Sequence, residues 1–185
     1  MSKYNSDIME LYSPDKKAEY MQRYHDRCFV GTAPTLRQYA AMHGAANVRL
    51  WLAVQLRDLC EFAGVEKMPP AMIDQTADVI AAQYPGLKLT ELMVFFQLFK
   101  AGHYGKFYGT ADPLVLTASL KEFDEGYRQR EHARIAREED SRARAAYNAV
   151  ALTLDEAVAL DEAVAAGLCP NIAALLARHR GRARS

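Results

Sequence analysis

Thr90-Glu91-Leu92-Met93-Val94-Phe95-Phe96-Gln97-Leu98-Phe99-Lys100 is the stretch that decides the fold. Read as a helix it is apolar nearly all round, and a helix of that kind is buried on most sides. On its N-terminal side Pro85-Gly86 turns the chain, and Pro69-Pro70 opens another helix that runs to about Tyr84. Before these lies a helix from about Ala45 to Phe62. It follows a short segment, Leu36 to His43, that Thr35 opens and Gly44 stops. Ser13-Pro14-Asp15 offers a serine cap, a proline at the first helical position and an acid in the first turn. A helix is predicted from there to about Cys28, with Gly31 through Pro34 breaking it.

On the C-terminal side the apolar stretch runs into Gly102-His103-Tyr104-Gly105-Lys106-Phe107-Tyr108-Gly109. Three glycines in so short a span suggest a tight path or positive φ, because glycine alone adopts such backbone freely. Asp112-Pro113 repeats the cap-plus-proline signature and opens a long helix to about Tyr147, whose second half is nearly all charge and alanine. Arg128, Arg130, Arg134, Arg137, Arg142 and Arg144 alternate there with Glu138, Glu139 and Asp140, the pattern of a solvated helix with i,i+4 ion pairs. Residues 148–185 read as an appendage to a body spanning 1–147. Thr153-Leu154-Asp155-Glu156 matches a capping box, and the doublet LDEAVA-LDEAVA has a six-residue shift that does not preserve a helical face. Cys169-Pro170-Asn171 starts a last short helix, and Arg178, Arg180, Arg182 and Arg184 finish the chain.

The 185 residues suffice for one domain with a real core, plus a small appendage. Lys and Arg number 23 and so do Asp and Glu, so any attraction to polyanions must come from local patches. Cys28, Cys60 and Cys169 lie far apart without CxxC spacing, which fits free thiols and a cytoplasmic setting. No basic, apolar leader opens the chain, and no apolar run is long enough for a bilayer, so neither secretion nor a membrane partner is expected.

Motifs of catalysis are poor. Glu131 and His132 lack the HExxH spacing, His25, His43, His103 and His179 are scattered, and no serine sits in a GxSxG elbow. The loop glycines lack the Gly-Lys-Ser/Thr ending of a phosphate loop and the strand that a dinucleotide loop follows. No metal site and no cofactor is expected. The reading is therefore of a protein that binds and does not catalyse, with His103, Tyr104, Lys106, Phe107 and Tyr108 as partner-binding residues. Aromatics beside lysine stack bases and neutralise phosphates, about 1 to 3 kcal/mol per stacked base, yet the same rings can fold back on Phe95, Phe96 and Phe99 as core. The short helix, glycine turn and second helix across 35–62 has the spacing of a helix-turn-helix reader, but it offers only Asn47 and Arg49 to a nucleic acid. Its other reading is an αα corner with Leu50, Trp51, Val54 and Leu59 inward. Lys100, Lys106, Arg178 and Arg180 complete the candidate nucleic-acid contacts.

Tyr84-Pro85-Gly86-Leu87-Lys88-Leu89-Thr90-Glu91-Leu92, Phe95-Phe96, Lys100 through Gly109, Asp112-Pro113, Leu120, Phe123 and Arg128 together resemble a family of uncharacterised small proteins from Bacteroidales genomes and their mobile elements. The resemblance covers roughly Thr35 to Glu139, with YGKFYG-x-x-DP as its core, and it implies an all-helical fold without an assigned activity. The layout is also similar to that of small phage-type replication accessory proteins that load or organise a helicase. Together these readings make the expectation an all-α, irregular helical bundle with a Gly/aromatic loop and a long charged helix. Its function would be that of an interaction protein, with a protein partner favoured over nucleic acid, in a replication or DNA-processing role for a mobile element. Two alternatives stay open: a regulatory or structural helical module without nucleic-acid contact, and a small enzyme whose Glu91, His103, Lys106 and Asp112 converge on one pocket.

Overall fold

The computed structural model describes residues 8–66, 68–150 and 154–167, and these form an all-α, irregular bundle. A short helical stretch α1 (residues 8–11) and a 3₁₀ turn, Pro14–Lys16, lead into α2 (Lys17–Arg23) and α3 (His25–Val30). Then come α4 (Leu36–His43), α5 (Ala45–Ala63), α6 (Pro70–Gln83) and α7 (Leu89–Lys100). After the glycine-rich loop, α8 (Pro113–Glu122) passes through a π-helical segment, Phe123–Arg128, into α9 (Gln129–Val150), and α10 (Leu154–Ala165) follows. Contacts divide the chain into two compact units, the division falling between Ala136 and Arg137 inside α9.

In the first unit α7 is central, as its composition demands. Leu89 through Phe96, Leu98 and Phe99 are all buried, and α2, α3 and α5 pack against them. From α5 come Trp51, Leu52, Leu56 and Leu59, while Leu50 and Val54 are only half-buried, so the inward face is rotated from the predicted one. Phe95 gathers the rings of Phe96, Phe99, Tyr104 and Phe123 at 5.2 to 6.1 Å, spacing at which aromatic pairs attract beyond their buried area. The long helix predicted from Asp112 is present, with Asp112 Oδ1 accepting the Leu114 N–H at 2.8 Å as its cap. Its π segment was not legible in the sequence. That wider turn stacks Phe123 on Tyr127 at 5.7 Å and sends Arg128 toward α7.

The helix expected from Ser13 to Cys28 differs in detail. The Ser13 hydroxyl accepts no amide bond. Its Oγ donates back to the Glu10 carbonyl at 2.8 Å, and the helix breaks at Tyr24, where φ is −131° and ψ 27°. The break redirects the chain so that Cys28 and Phe29 reach the core and the last carbonyls of α3 meet α7. Those carbonyls would be orphans at a helix end, and α7 supplies their donors. Thr90 Oγ1 donates to the Cys28 carbonyl at 2.7 Å, and Lys88 Nζ donates to the Phe29 and Gly31 carbonyls at 2.6 and 2.8 Å. Gly31 is required at this corner, since a Cβ there would lie 2.3 Å from the Arg27 carbonyl oxygen.

Two carboxylates tie the helices together. Glu91 has no exposed surface and accepts from the Lys88 N–H at 2.8 Å, Arg128 Nε at 2.8 Å and His132 Nε2 at 2.7 Å. Asp58 on α5 takes Lys17 Nζ at 2.6 Å and Lys100 Nζ at 2.8 Å, with the two ammonium groups resting 5.0 and 4.9 Å from the Phe96 and Phe62 ring centres. Burial pulls the Lys17 amine down to about 8 against the opposing pull of Asp58. Burial alone would raise the Asp58 carboxyl, but the bonds from Lys100 and Lys17 outweigh it and hold the group below its ordinary 3.8.

In the second unit, the exposed part of α9 carries the predicted ion pairs, Arg142 to Glu138 at 3.6 Å and Arg144 to Asp140 at 2.8 Å. Gly167, at φ +74°, caps α10 by donating to the Val164 carbonyl. The predicted capping residue Thr153 and everything from Cys169 onward lie outside the described residues.

Asp58→Asn strands two enclosed cations, and the expected loss is on the order of 3 kcal/mol at neutral pH. The stabilisation from a carboxyl lowered on folding is complete above its unfolded value of 3.8 and disappears as pH falls through the folded value. Urea unfolding of wild type and variant should therefore differ fully at pH 7 and converge under acid conditions.

Candidate functional site

The loop after α7 is shaped by its glycines. α7 ends with Gly102 at φ +83°, whose N–H bonds the Phe99 carbonyl while the His103 N–H reaches the Leu98 carbonyl, the paired bonds of a Schellman motif. Gly109, at φ +79°, forms a three-residue turn in which the Thr110 N–H bonds the Tyr108 carbonyl at 3.0 Å. The end of the loop is pinned to the chain before α6. There the Glu66 N–H donates to the Gly109 carbonyl at 3.0 Å and the Ala111 N–H to the Glu66 carbonyl at 3.5 Å. At Gly105 a Cβ would come within 3.1 Å of Val115 Cγ1, so the missing side chain lets the loop lie close on α8.

Between these pins the aromatics part company. Tyr104 packs 5.6 Å from Phe95, and Phe107 sits 5.1 Å from Phe99, so both are core anchors. Burial raises the Tyr104 phenol to about 12, with Glu122 and Tyr127 adding to the effect. Tyr108 turns outward and is 88 % exposed, beside exposed His103 and Lys106. Met68, Met72, Lys106, Tyr108, Asp112 and Val115 line a groove of about 460 Å³. Leu59, Phe62, Phe99, Lys100, Lys106 and Phe107 line a second of about 270 Å³. Lys106 borders both.

The remaining candidates are dispersed. Lys100 is bound to Asp58, Asn47 donates to the His43 carbonyl at 2.5 Å, and Arg49 pairs with Asp78 at 2.8 Å. α4 and α5 are joined through Gly44 at φ +88°, and both α6 and α7 pack on α5, the geometry of the αα corner. Arg178 and Arg180 lie outside the described residues. Of the four side chains named for a dispersed catalytic site, Lys106 and Asp112 border one groove, whereas Glu91 is sealed against Arg128 and His132 and His103 lines neither groove. Among the described residues no group of His, Cys, Asp and Glu is arranged to hold a metal ion.

Sequence reasoning missed Phe62, which is 62 % exposed at the end of α5 and walls the smaller groove. It also missed the Lys17–Asp58–Lys100 cluster and the histidine network, in which His25 lies 3.0 Å from Tyr127 Oη and 3.7 Å from Glu131. A lone acid inside an apolar run, Glu91, was the available signal that buried cations would be found nearby.

The division of the loop predicts a division of mutational cost. Phe107→Ala should destabilise by about 3 kcal/mol through loss of core packing, whereas Tyr108→Ala should stay within roughly 0.5 kcal/mol of wild type in thermal melts.

No curated protein and no solved structure matches the chain. Residues 67–160 match the family of unknown function DUF6633, a span that carries α6, α7, the glycine-aromatic loop and α9. Since that match extends over half of the sequence, the chain belongs to the DUF6633 family.

Proposed function

We propose that this chain is a non-enzymatic interaction protein and that the outward side of its Gly102–Gly109 loop is the contact surface for a protein partner. The observation that carries this reading is the split of one short loop into anchors and a displayed residue. Tyr104 and Phe107 are held by Phe95 and Phe99, while Tyr108 is left 88 % exposed beside Lys106. A large aromatic ring kept in water on a braced loop is the kind of residue that dominates binding energy at interfaces. The state of the reactive groups also favours binding over chemistry. Cys28 is buried with its thiol raised to about 12 by burial, then by Glu91 and Asp26, and Glu91 and His132 are engaged with each other.

The finer part of the proposal is an accessory role in replication or DNA processing on a mobile element. It is supported by the resemblance of the YGKFYG-x-x-DP segment to proteins of such elements, and by a helical body that offers the loop to a partner. Among the described residues no helix is long and apolar enough to cross a membrane, and we place the chain's work in the cytoplasm.

A photo-crosslinking side chain in place of Tyr108, introduced in cells of origin, should yield one dominant protein adduct that Lys106→Ala diminishes. Absence of any adduct would remove the loop as a contact surface. Anisotropy of labelled single-stranded, forked and duplex DNA, at low and moderate salt, supplies the complementary result. Binding that weakens with salt and with Lys106→Ala/Tyr108→Ala, in a variant that melts like wild type, would make DNA the direct ligand.

A further inference from the structure

The smaller groove beside the loop carries three features that bear on one kind of ligand. Its walls are apolar, made by Leu59, Phe62, Phe99 and Phe107, and Phe62 stands 62 % exposed there with no core to join. Among the described residues its only charged lining groups are Lys100 and Lys106. Lys100 shares the Asp58 carboxylate with Lys17, so that cluster holds two cations against one acid, and Lys106 has no ion-pair partner among the described residues. The backbone supplies the third feature. From residue 104 to 107 no N–H has a protein acceptor among the described residues, although the helix end before it and the turn after it are bonded.

We infer that this groove seats an acidic, hydrophobic peptide segment of the partner protein, with one apolar side chain between Phe62 and Phe107 and a neighbouring carboxylate on Lys106. The unpaired loop amides then donate to the peptide's carbonyl oxygens, as an exposed backbone edge does for an added extended chain. Charge complementarity selects the occupant: the unpaired Lys106 and the one surplus cation of the Lys17–Asp58–Lys100 cluster favour a carboxylate, and the apolar walls favour a side chain beside it. At about 270 Å³ the groove falls below the range of roughly 300 to 1,000 Å³ typical of small-molecule pockets, which suits a single peptide side chain. Nucleic acid fits less well. The apolar walls present no side-chain donors or acceptors to base edges, and a strand-tracking groove needs a row of cations where this one has two.

This inference rests on the loop being the contact surface, and the test separates the two. A random peptide display library is selected against the full chain, and recovered peptides are synthesised with a fluorescent label. Their affinities are then measured for wild type, Phe62→Ala, Ala63→Trp, Lys106→Glu and Tyr108→Ala, each checked for an unchanged melting transition. The expected result is a consensus of acids flanking an aromatic or large aliphatic residue. Its binding should fall about tenfold or more with Phe62→Ala and Lys106→Glu, and also with Ala63→Trp, which fills the groove from an exposed position. Peptides without acids, or peptides indifferent to Phe62→Ala and Ala63→Trp, would overturn the groove. If those peptides still depended on Tyr108, the loop reading would survive alone. Failure to enrich any peptide, or displacement of the peptides by an unlabelled dT12 strand at moderate salt, would also overturn the assignment.

Discussion

The carboxylate of Glu91 fixes the arrangement of the helices around it. A charge taken fully out of water costs several kcal/mol unless donors surround it, and here three donors come from separate places: the turn before α7, the π segment and α9. Each must be in register for the group to be satisfied. The same turn of α7 also closes the end of α3 through Lys88 and Thr90. Four consecutive residues thus decide where three neighbouring elements stop or pass.

Much of the architecture was legible because it rests on local signals. Thr35 with Gln38 forms a reciprocal capping box, Asp112-Pro113 starts a helix, and the nearly all-apolar run of α7 occupies the centre. The break at Tyr24 and the π segment were not legible, for they answer to tertiary demands. The first brings the end of α3 to Lys88, and the second turns Arg128 toward a carboxylate 37 residues earlier in sequence. Neither leaves a proline or glycine signature strong enough to read in advance, although Gly126 sits inside the π segment.

The loop shows the same limit at finer scale. Its glycines announced positive φ, and Gly102 and Gly109 adopt it. Its aromatics were readable as core or as contact surface, and the protein uses both, with Tyr104 and Phe107 inward and Tyr108 outward. No periodicity separates adjacent residues in an irregular segment, so the direction of each ring follows from the pins at Gly102, Gly105 and Glu66. Phe62 escaped notice because it ends a helix of otherwise ordinary composition. Only the return of the chain along α7 places it opposite Lys100 and Phe107.

The enclosure of Lys17 has a kinetic consequence. Its amine loses a proton near pH 8, more readily than an ordinary lysine, and is in that respect the better nucleophile. With only 1 % of its side chain exposed, it meets an acylating reagent in solution only when α2 lifts from α7. Reactivity and access are therefore opposed at one atom, and the rate at which that amine is modified is a clock for the opening of the N-terminal helices.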